Sequence, residues 1–389
     1  MQPHRMSGVL AVLICLFSCL HAFAAPRRHT QVTIHGADFW INGSPTYPGR
    51  TWQSHRIEGL LFNARMVNGI FDDLNPDTRT RWAYPDTHTW DPDRNTREFI
   101  AAMPSWRAHG LLAFTINLQG GSPEGYSHGQ PWINSAFTPE GTLRPAYMAR
   151  LARILDRADS LGMVAIVGFF YQAQDKQLTG EPAVVRAVDN ATHWLLDRGY
   201  TNVLVEINNE CEQHYTNPIL QPQRVDELIT RVHGITAHGR RLLVATSYGN
   251  VRPGQKVVAA EDFILVHGNG VKSTDTLRQQ IQAIRALPGG AAKPLVFNED
   301  DHTAFDQPVN DLTVAISEHA SWGFFDYRRN GEPFDDGFQS IPADWSISCD
   351  RKRAFFNLLS QITGVTPDST DSDPPTPRAV PSSVLNACP

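Results

Sequence analysis

Long apolar runs are scarce in this chain. Beyond residue 24 no stretch reaches the about 20 consecutive apolar residues that a helix needs to span a bilayer. Cysteine is sparse too: of five in 389 residues, Cys15 and Cys19 lie in the first 24. The other three, Cys211, Cys349 and Cys388, are too few and too odd a set to form a disulfide framework. Positive charge is not in excess, with 34 Lys and Arg against 40 Asp and Glu, so nothing draws the chain to nucleic acid or to an anionic membrane. Charged residues make up only 19% and hydrophobic residues 41%, which excludes a disordered chain and permits a large buried core.

The first 24 residues have a basic start at Arg5, an apolar stretch from Val9 to Phe23 and the small-residue site Ala22-Phe23-Ala24. That order is expected of a signal peptide, with the mature chain starting at Ala25 and the protein secreted or periplasmic. The apolar stretch is too short for a membrane anchor. Residues 25–57 form an N-terminal segment in which Val32 to Ile34 and Phe39 to Ile41, followed by Asn42-Gly43, read as a hairpin that plugs the bottom of the large domain C-terminal to it. Residues 365–389 are rich in Pro, Ser, Thr and Asp, a composition that buries little and predicts a disordered tail.

Residues 58–364 alternate short β-rich runs with amphipathic helical runs, the pattern of a parallel sheet with helical crossovers. Strand cores are expected at 60–67, 111–118, 163–170, 202–207, 242–246, 263–266, 294–297 and 322–325. Eight is the number that closes a (β/α)8 TIM barrel. Between them, apolar residues recur at spacings of three and four: Met148, Leu151, Leu155 and Ala158 in one helix, Val184, Val188, Ala191 and Leu195 in the next. Pro104 inside the first helical run predicts a kink or an earlier end. Strand-to-helix links are long at 68–95, 119–142 and 328–350, whereas helix-to-strand links are short. In such a barrel the long links gather at the C-terminal ends of the strands, where active sites are built. They also carry aromatics, Trp82, Tyr84, Trp90, Tyr126, Trp132 and Trp345, suited either to stacking on sugar rings or to packing loops against the rim.

Two strands end in the same unusual way. Asn202-Val-Leu-Val-Glu-Ile-Asn-Asn-Glu210 and Pro294-Leu-Val-Phe-Asn-Glu299 are apolar until their exits and then turn abruptly to amide and carboxylate. As the ends of strands four and seven, Glu210 and Glu299 are expected to face one another across one mouth. Paired carboxylates across a pocket are what hydrolysis of a glycosidic bond requires, one holding a proton and the other ionised. Gln119, Tyr171 and Tyr248 end strands two, three and five and are candidates to bond sugar hydroxyls, or else to cap and pack loops. Asp326 leaves strand eight, and Trp132 is a candidate stacking platform. Arg65, on strand one, is read either as the cation that holds a carboxylate in register or as a structural partner of Glu206.

On these segments the chain resembles clan A glycoside hydrolases, the retaining (β/α)8 superfamily that includes family 5 cellulases and mannanases. The resemblance covers about residues 30–364, and its specific parts are Glu206-Ile-Asn-Asn-Glu210, Pro294-Leu-Val-Phe-Asn-Glu299 and the segment Phe39-Trp-Ile-Asn-Gly-Ser-Pro45. It implies Glu210 as general acid/base, Glu299 as nucleophile, Asn209 against the hydroxyl next to the anomeric carbon, and His267 lining the pocket. It implies an oligo- or polysaccharide substrate and no cofactor. The chain departs from the family where an arginine is usual on strand two (Asn117-Leu118-Gln119) and a histidine after strand three (Phe170-Tyr171-Gln172). Cys211 follows the acid/base in place of proline, Asn269 replaces a common tyrosine, and Asp300 replaces an aromatic.

Two rivals use the same barrel. Asp300, Asp301 and His302, with Glu299 and His267, are a candidate divalent-metal set for a barrel hydrolase, although strand one carries no His-x-His. The second rival is a non-catalytic carbohydrate-binding barrel.

Overall fold

A computed structural model describes residues 28–127 and 129–367. The expected signal peptide and nearly all of the expected tail lie outside these residues.

Among the described residues eight parallel strands alternate with eight helices. The strands are β1 (Asn63–Arg65), β2 (Ala113–Asn117), β3 (Val164–Phe170), β4 (Val203–Asn208), β5 (Leu243–Ala245 continued by Ser247–Tyr248), β6 (Ile264–His267), β7 (Leu295–Glu299) and β8 (Gly323–Phe324). The helices are α1 (Pro92–Ala108), α2 (Pro145–Leu161), α3 (Glu181–Asp197), α4 (Val225–Gly234), α5 (Gln255–Ala260), α6 (Thr274–Arg285), α7 (Asp311–Ser317) and α8 (Asp350–Thr363).

The ring is closed by hydrogen bonds. β8, β1, β2, β3, β4 and β5 pair in that order, with Ala245 of β5 level with Glu206 of β4. At Thr246 the fifth strand shifts partner, so Ser247 and Tyr248 pair with Leu265 and Val266 of β6, and β6 pairs with β7. Between β7 and β8, Phe297 N–H donates to Ser321 O (2.9 Å), Ser321 N–H to Leu295 O (2.9 Å) and Asp300 N–H to Gly323 O (3.1 Å). Gly323 and Phe324 then pair with Asn63 and Ala64, which completes the circle. The expected eight-stranded barrel is therefore the fold.

Alternation along each strand separates two cores. Outward residues such as Phe114, Ile116, Val205 and Phe297 meet the helix stripes, including the predicted Met148, Leu151, Leu155 and Ala158. Inward residues at the strand starts form a second cluster, with Ala113, Ile166, Leu204, Leu265 and Val296. The N-terminal segment closes this end: Val32–His35 and Asp38–Ile41 pair as a hairpin, and Phe39, fully buried, meets Phe263 edge-on at 6.1 Å. The tight turn of the hairpin falls at Gly36-Ala37, while Asn42-Gly43 makes a second turn to a third short strand at Ser44–Pro45.

Further up, the barrel interior changes from hydrocarbon to polar groups: Asn63, Arg65, Asn117, Glu206 and Asn298 are all buried there. Gly168 on β3 makes room for this layer, because a Cβ at that position would lie 2.2 Å from Asn117 Oδ1 and 3.3 Å from Glu206 Oε2.

Three details refine the expected pattern, the last by taking the second of the two readings given for the loop aromatics. Helix α1 runs through Pro104, because the position is partly open to water that can serve the freed carbonyl, while Phe99, Met103 and Trp106 anchor the helix in the core. Helices α5 and α7 are too short, at 6 and 7 residues, to show a periodic stripe. The loop aromatics Trp82, Tyr84, Trp132 and Trp345 are buried against the rim, with Trp82 edge-on to Trp132 at 5.6 Å and Trp345 edge-on to Phe99 at 4.9 Å. Among the described residues Cys211 and Cys349 are free and buried, and no helix is long and apolar enough to cross a membrane.

Replacing the plug residue, Phe39→Ala, is expected to cost about 3–5 kcal/mol through lost burial and an unfilled cavity. Denaturant unfolding of the two proteins measures it, and a loss below about 1 kcal/mol means the barrel floor stands without the hairpin.

Candidate active site

The polar upper layer leads into a pocket of about 380 Å³ at the C-terminal ends of the strands. Glu210 and Glu299 both line it. Their side chains are 17% and 7% exposed, so each is largely desolvated yet open to the pocket.

Glu210 sits one step past Asn209, where the chain leaves β4, in the left-handed region at φ 46°. A non-glycine residue there is strained by about 1–2 kcal/mol. Its N–H is held by Ser247 Oγ at 2.8 Å, and the next N–H, of Cys211, by Ser247 O at 2.9 Å. The partner shift in β5 is what places Ser247 there. The turn swings the Glu210 side chain inward over the barrel.

Glu299 ends β7, level with His267 across an irregularity in the β6–β7 ladder. Both carboxylates converge on one atom: His267 Nδ1 lies 3.0 Å from Glu210 Oε1 and 3.5 Å from Glu299 Oε2. The fully buried Arg65 pairs through Nε with Glu299 Oε2 and donates through Nη2 to Asn209 Oδ1. Asn269 Nδ2 donates to the other Glu299 oxygen, and Asn209 Nδ2 donates to Gln172 Oε1 at 2.9 Å. Of the two partners considered for Arg65, the ion pair is with Glu299. Glu206 feels the guanidinium only through the interior, its Oε2 meeting Asn298 Nδ2 at 3.5 Å.

The electrostatics follow from this packing. Burial raises the Glu299 carboxyl, opposed by Arg65 and His267. Burial works the same way on Glu210, but the hydrogen bond and charge of His267 overcome it and hold that carboxyl low. Burial alone depresses an imidazole; here Glu299 and Glu210 reverse the effect and raise His267. The nitrogen that faces both carboxylates is thus where the pair favours a proton.

The other sequence candidates divide. Tyr171 lines the pocket, its hydroxyl 3.1 Å from Ser122 Oγ. Asn209 and His267 lie beneath the two glutamates. Gln119 is buried beside Ser135 (3.4 Å), and Tyr248 is buried next to Cys211, both behind the pocket wall. Trp132 is core, not a stacking surface, because its ring packs on Trp82. Asp326 points away and binds Arg351 Nε at 2.8 Å. Residues that sequence reading missed as pocket lining include Gln172, Asn269, Phe325 and Gln339, with Tyr126 half exposed above them. Gln172 and Asn269 stand next to or two residues beyond strand ends already marked. Gln339 comes from a long loop with no periodic signal.

No protein-family model matches the chain, and no curated protein matches it in sequence. In structure it is similar to the endo-1,4-beta-mannanase of Rhizomucor miehei, at a TM-score of 0.55 and 12% identity over 86% of this chain and 99% of that one. It is also similar to a broad-specificity family 5 endoglucanase of Bacteroides salanitronis, at a TM-score of 0.50 and 11% identity over 79% of this chain and 94% of that one. The chain has the family 5 glycoside hydrolase fold.

In this family 5-like barrel the proposed metal set comes apart. His267 is engaged with Glu210 and Glu299, whereas Asp300, Asp301 and His302 gather in a second cluster beside β7. There His302 Nδ1 lies 2.6 Å from Asp300 Oδ1, 3.1 Å from Asp311 Oδ2 and 4.0 Å from Asp301 Oδ1. Trp322 Nε1 donates to the second Asp300 oxygen at 2.8 Å, so protein hydrogens already occupy both. An imidazolium does the work that a cation would do. The Asp300 hydrogen bond raises His302 to about 9, and burial together with Asp300 pushes Asp311 up to about 7.

Both groups bind protons more tightly folded than unfolded, so each contributes stability that is lost as pH rises. For Asp311 the loss runs from about 4 to about 7, and for His302 from about 6.5 to about 9. Asp311→Asn is expected to flatten the fall in melting temperature across that range. An unchanged slope means the cluster does not hold these protons.

Proposed function

We propose that this protein is a retaining glycoside hydrolase that works outside the cytoplasm on an oligo- or polysaccharide. The observation that carries the reading is the convergence of two glutamates, from the ends of β4 and β7, on one histidine nitrogen at the bottom of an open pocket. Glu210 Oε1 and Glu299 Oε2 can be no farther apart than those two contacts laid end to end. So close an approach of one oxygen pair is compatible with the about 5–5.5 Å carboxyl separation of retaining pairs, as the retaining reading requires.

The roles are those the resemblance implies; in the free protein the electrostatics lean the other way, with Glu299 raised and Glu210 held low, so the proton has to move to Glu210 before the first step. Glu299 is fixed by Arg65 on one oxygen and Asn269 on the other, which orients an ionised carboxylate for attack on the anomeric carbon. Among the described residues Glu210 is ion-paired only with His267 and feels Arg65 at longer range, and a proton on His267 Nδ1 has 3.0 Å to travel to Glu210 Oε1. Protonated, Glu210 gives that proton to the departing glycosidic oxygen as the bond from Glu299 to the anomeric carbon forms. In the second step Glu210 takes a proton from water, and the water oxygen displaces Glu299 with a second inversion. Asn209, held between Arg65 and Gln172, is placed to meet the neighbouring hydroxyl of the sugar. The export reading rests on the N-terminal sequence pattern.

Glu299→Gln is expected to fold with lowered stability, because Arg65 loses its counter-charge, and to remove turnover by at least about 10³-fold, and a 2-deoxy-2-fluoro glycoside should label Glu299 in the native protein. Glu210→Gln should lower turnover of substrates with poor leaving groups by about 10²–10⁴-fold and spare activated aryl glycosides. A panel of aryl glycosides and plant and microbial polysaccharides supplies the substrate. Unchanged activity in Glu299→Gln defeats the assignment.

A further inference from the structure

The pocket is not open equally on all sides. In an eight-strand ring β8 stands opposite β4, so the loops that follow these strands face each other across the mouth. On the β8 side the wall is tied shut. Tyr126, from the loop after β2, packs edge-on against Phe325 at 5.6 Å and Tyr327 at 5.1 Å. The two loops are joined again where Ile341 N–H donates to Pro123 O at 2.8 Å, and Gly125 approaches Tyr327 so closely that a Cβ would fall 2.5 Å from the ring.

On the β4 side the described residues build no such wall. The loop that follows Glu210 encloses a second groove of about 480 Å³, lined by residues 212–216 and 221–223, and Gln213 and His214 line both this groove and the pocket. Glu212 sets its inner edge, with Oε1 bonded to Gly249 N–H at 2.7 Å. Exposed amide, imidazole and hydroxyl groups of Gln213, His214, Thr216 and Gln223 face outward, and among the described residues no lysine or arginine lines either cavity.

From this asymmetry, and resting on the glycosidase reading above, we infer that the pocket takes one terminal, uncharged sugar and that the groove past Glu210 takes the rest of the saccharide as leaving group. The acid/base stands on the leaving-group side of the scissile bond. Glu210 lies between the two cavities, so the chain beyond the bond runs over the Gln213-His214 ridge into the groove, where neutral hydrogen-bonding groups match sugar hydroxyls. The sugar attacked by Glu299 is enclosed by the Tyr126 wall, which stops extension on its far side. Cleavage then proceeds from the non-reducing end, one unit at a time.

The test compares substrates that do and do not reach the groove. The sugar is that which turns over in a panel of p-nitrophenyl monoglycosides, and the partner substrate is its trisaccharide reduced at the far end. Thr216→Trp and Gln223→Trp, at two exposed positions of the groove, are expected to lower kcat/KM at least tenfold more for the trisaccharide than for the p-nitrophenyl glycoside. The native protein should release the monosaccharide first. Equal losses on both substrates, no loss on either, or first release of a disaccharide from the non-reducing end overturns the inference while the glycosidase reading stands. Absence of turnover across the panel together with an unlabelled Glu299 removes both.

Discussion

A single guanidinium with no exposure to water organises the mouth of this barrel. Arg65 cannot be left alone in such a place, since an unpaired buried charge costs several kcal/mol. It is paired with Glu299 from β7, two strands away around the ring, and with Asn209 just past the end of β4. The requirement works in both directions, because Glu299 is buried as well and depends on Arg65 and His267 to remain charged. Three strands far apart in sequence are thereby held in one register by electrostatics. The carboxylate geometry is a by-product of that constraint, and so is the orientation of Asn209.

The rest of the fold protects this arrangement from water below and opens it above. At the strand starts the barrel is filled with hydrocarbon and stoppered by Phe39. Halfway up, polar side chains replace hydrocarbon, and Gly168 yields its Cβ space to them. At the strand ends His267 reaches both glutamates, and the strained turn at Glu210 aims that side chain at it. The second cluster, around His302, neutralises the acids that follow Glu299 without drawing on the first. Two adjacent carboxylates on one segment, Glu299 and Asp300, thus serve different partners on different sides of β7.

Much of the architecture was legible because strand and helix patterns are local. The eight β-rich runs fall where the strands are, and the stripes Met148 to Ala158 and Val184 to Leu195 face the sheet. Glu210 and Glu299 stood out because a buried parallel strand rarely ends in carboxylate without a use for it. The short helices α5 and α7 were invisible for lack of turns. Trp132 and Asp326 misled for a common reason: an aromatic or an acid in a long loop has the same composition whether it faces a ligand or a neighbour. Only Trp82 and Arg351, brought from other parts of the chain, decide which.

The amino-acid order by itself determined which segments become strands, that there are eight, and which two carboxylates leave them, since these depend on periodicity and on residue type within a few positions. Tertiary structure decided the partner of Arg65, the convergence on His267, the separation of Asp300 and His302 from the pocket, and the closed and open sides of the mouth. Most of these rest on contacts between residues separated by long stretches of chain, and their energy comes from burial and distance, which exist only once the ring has closed.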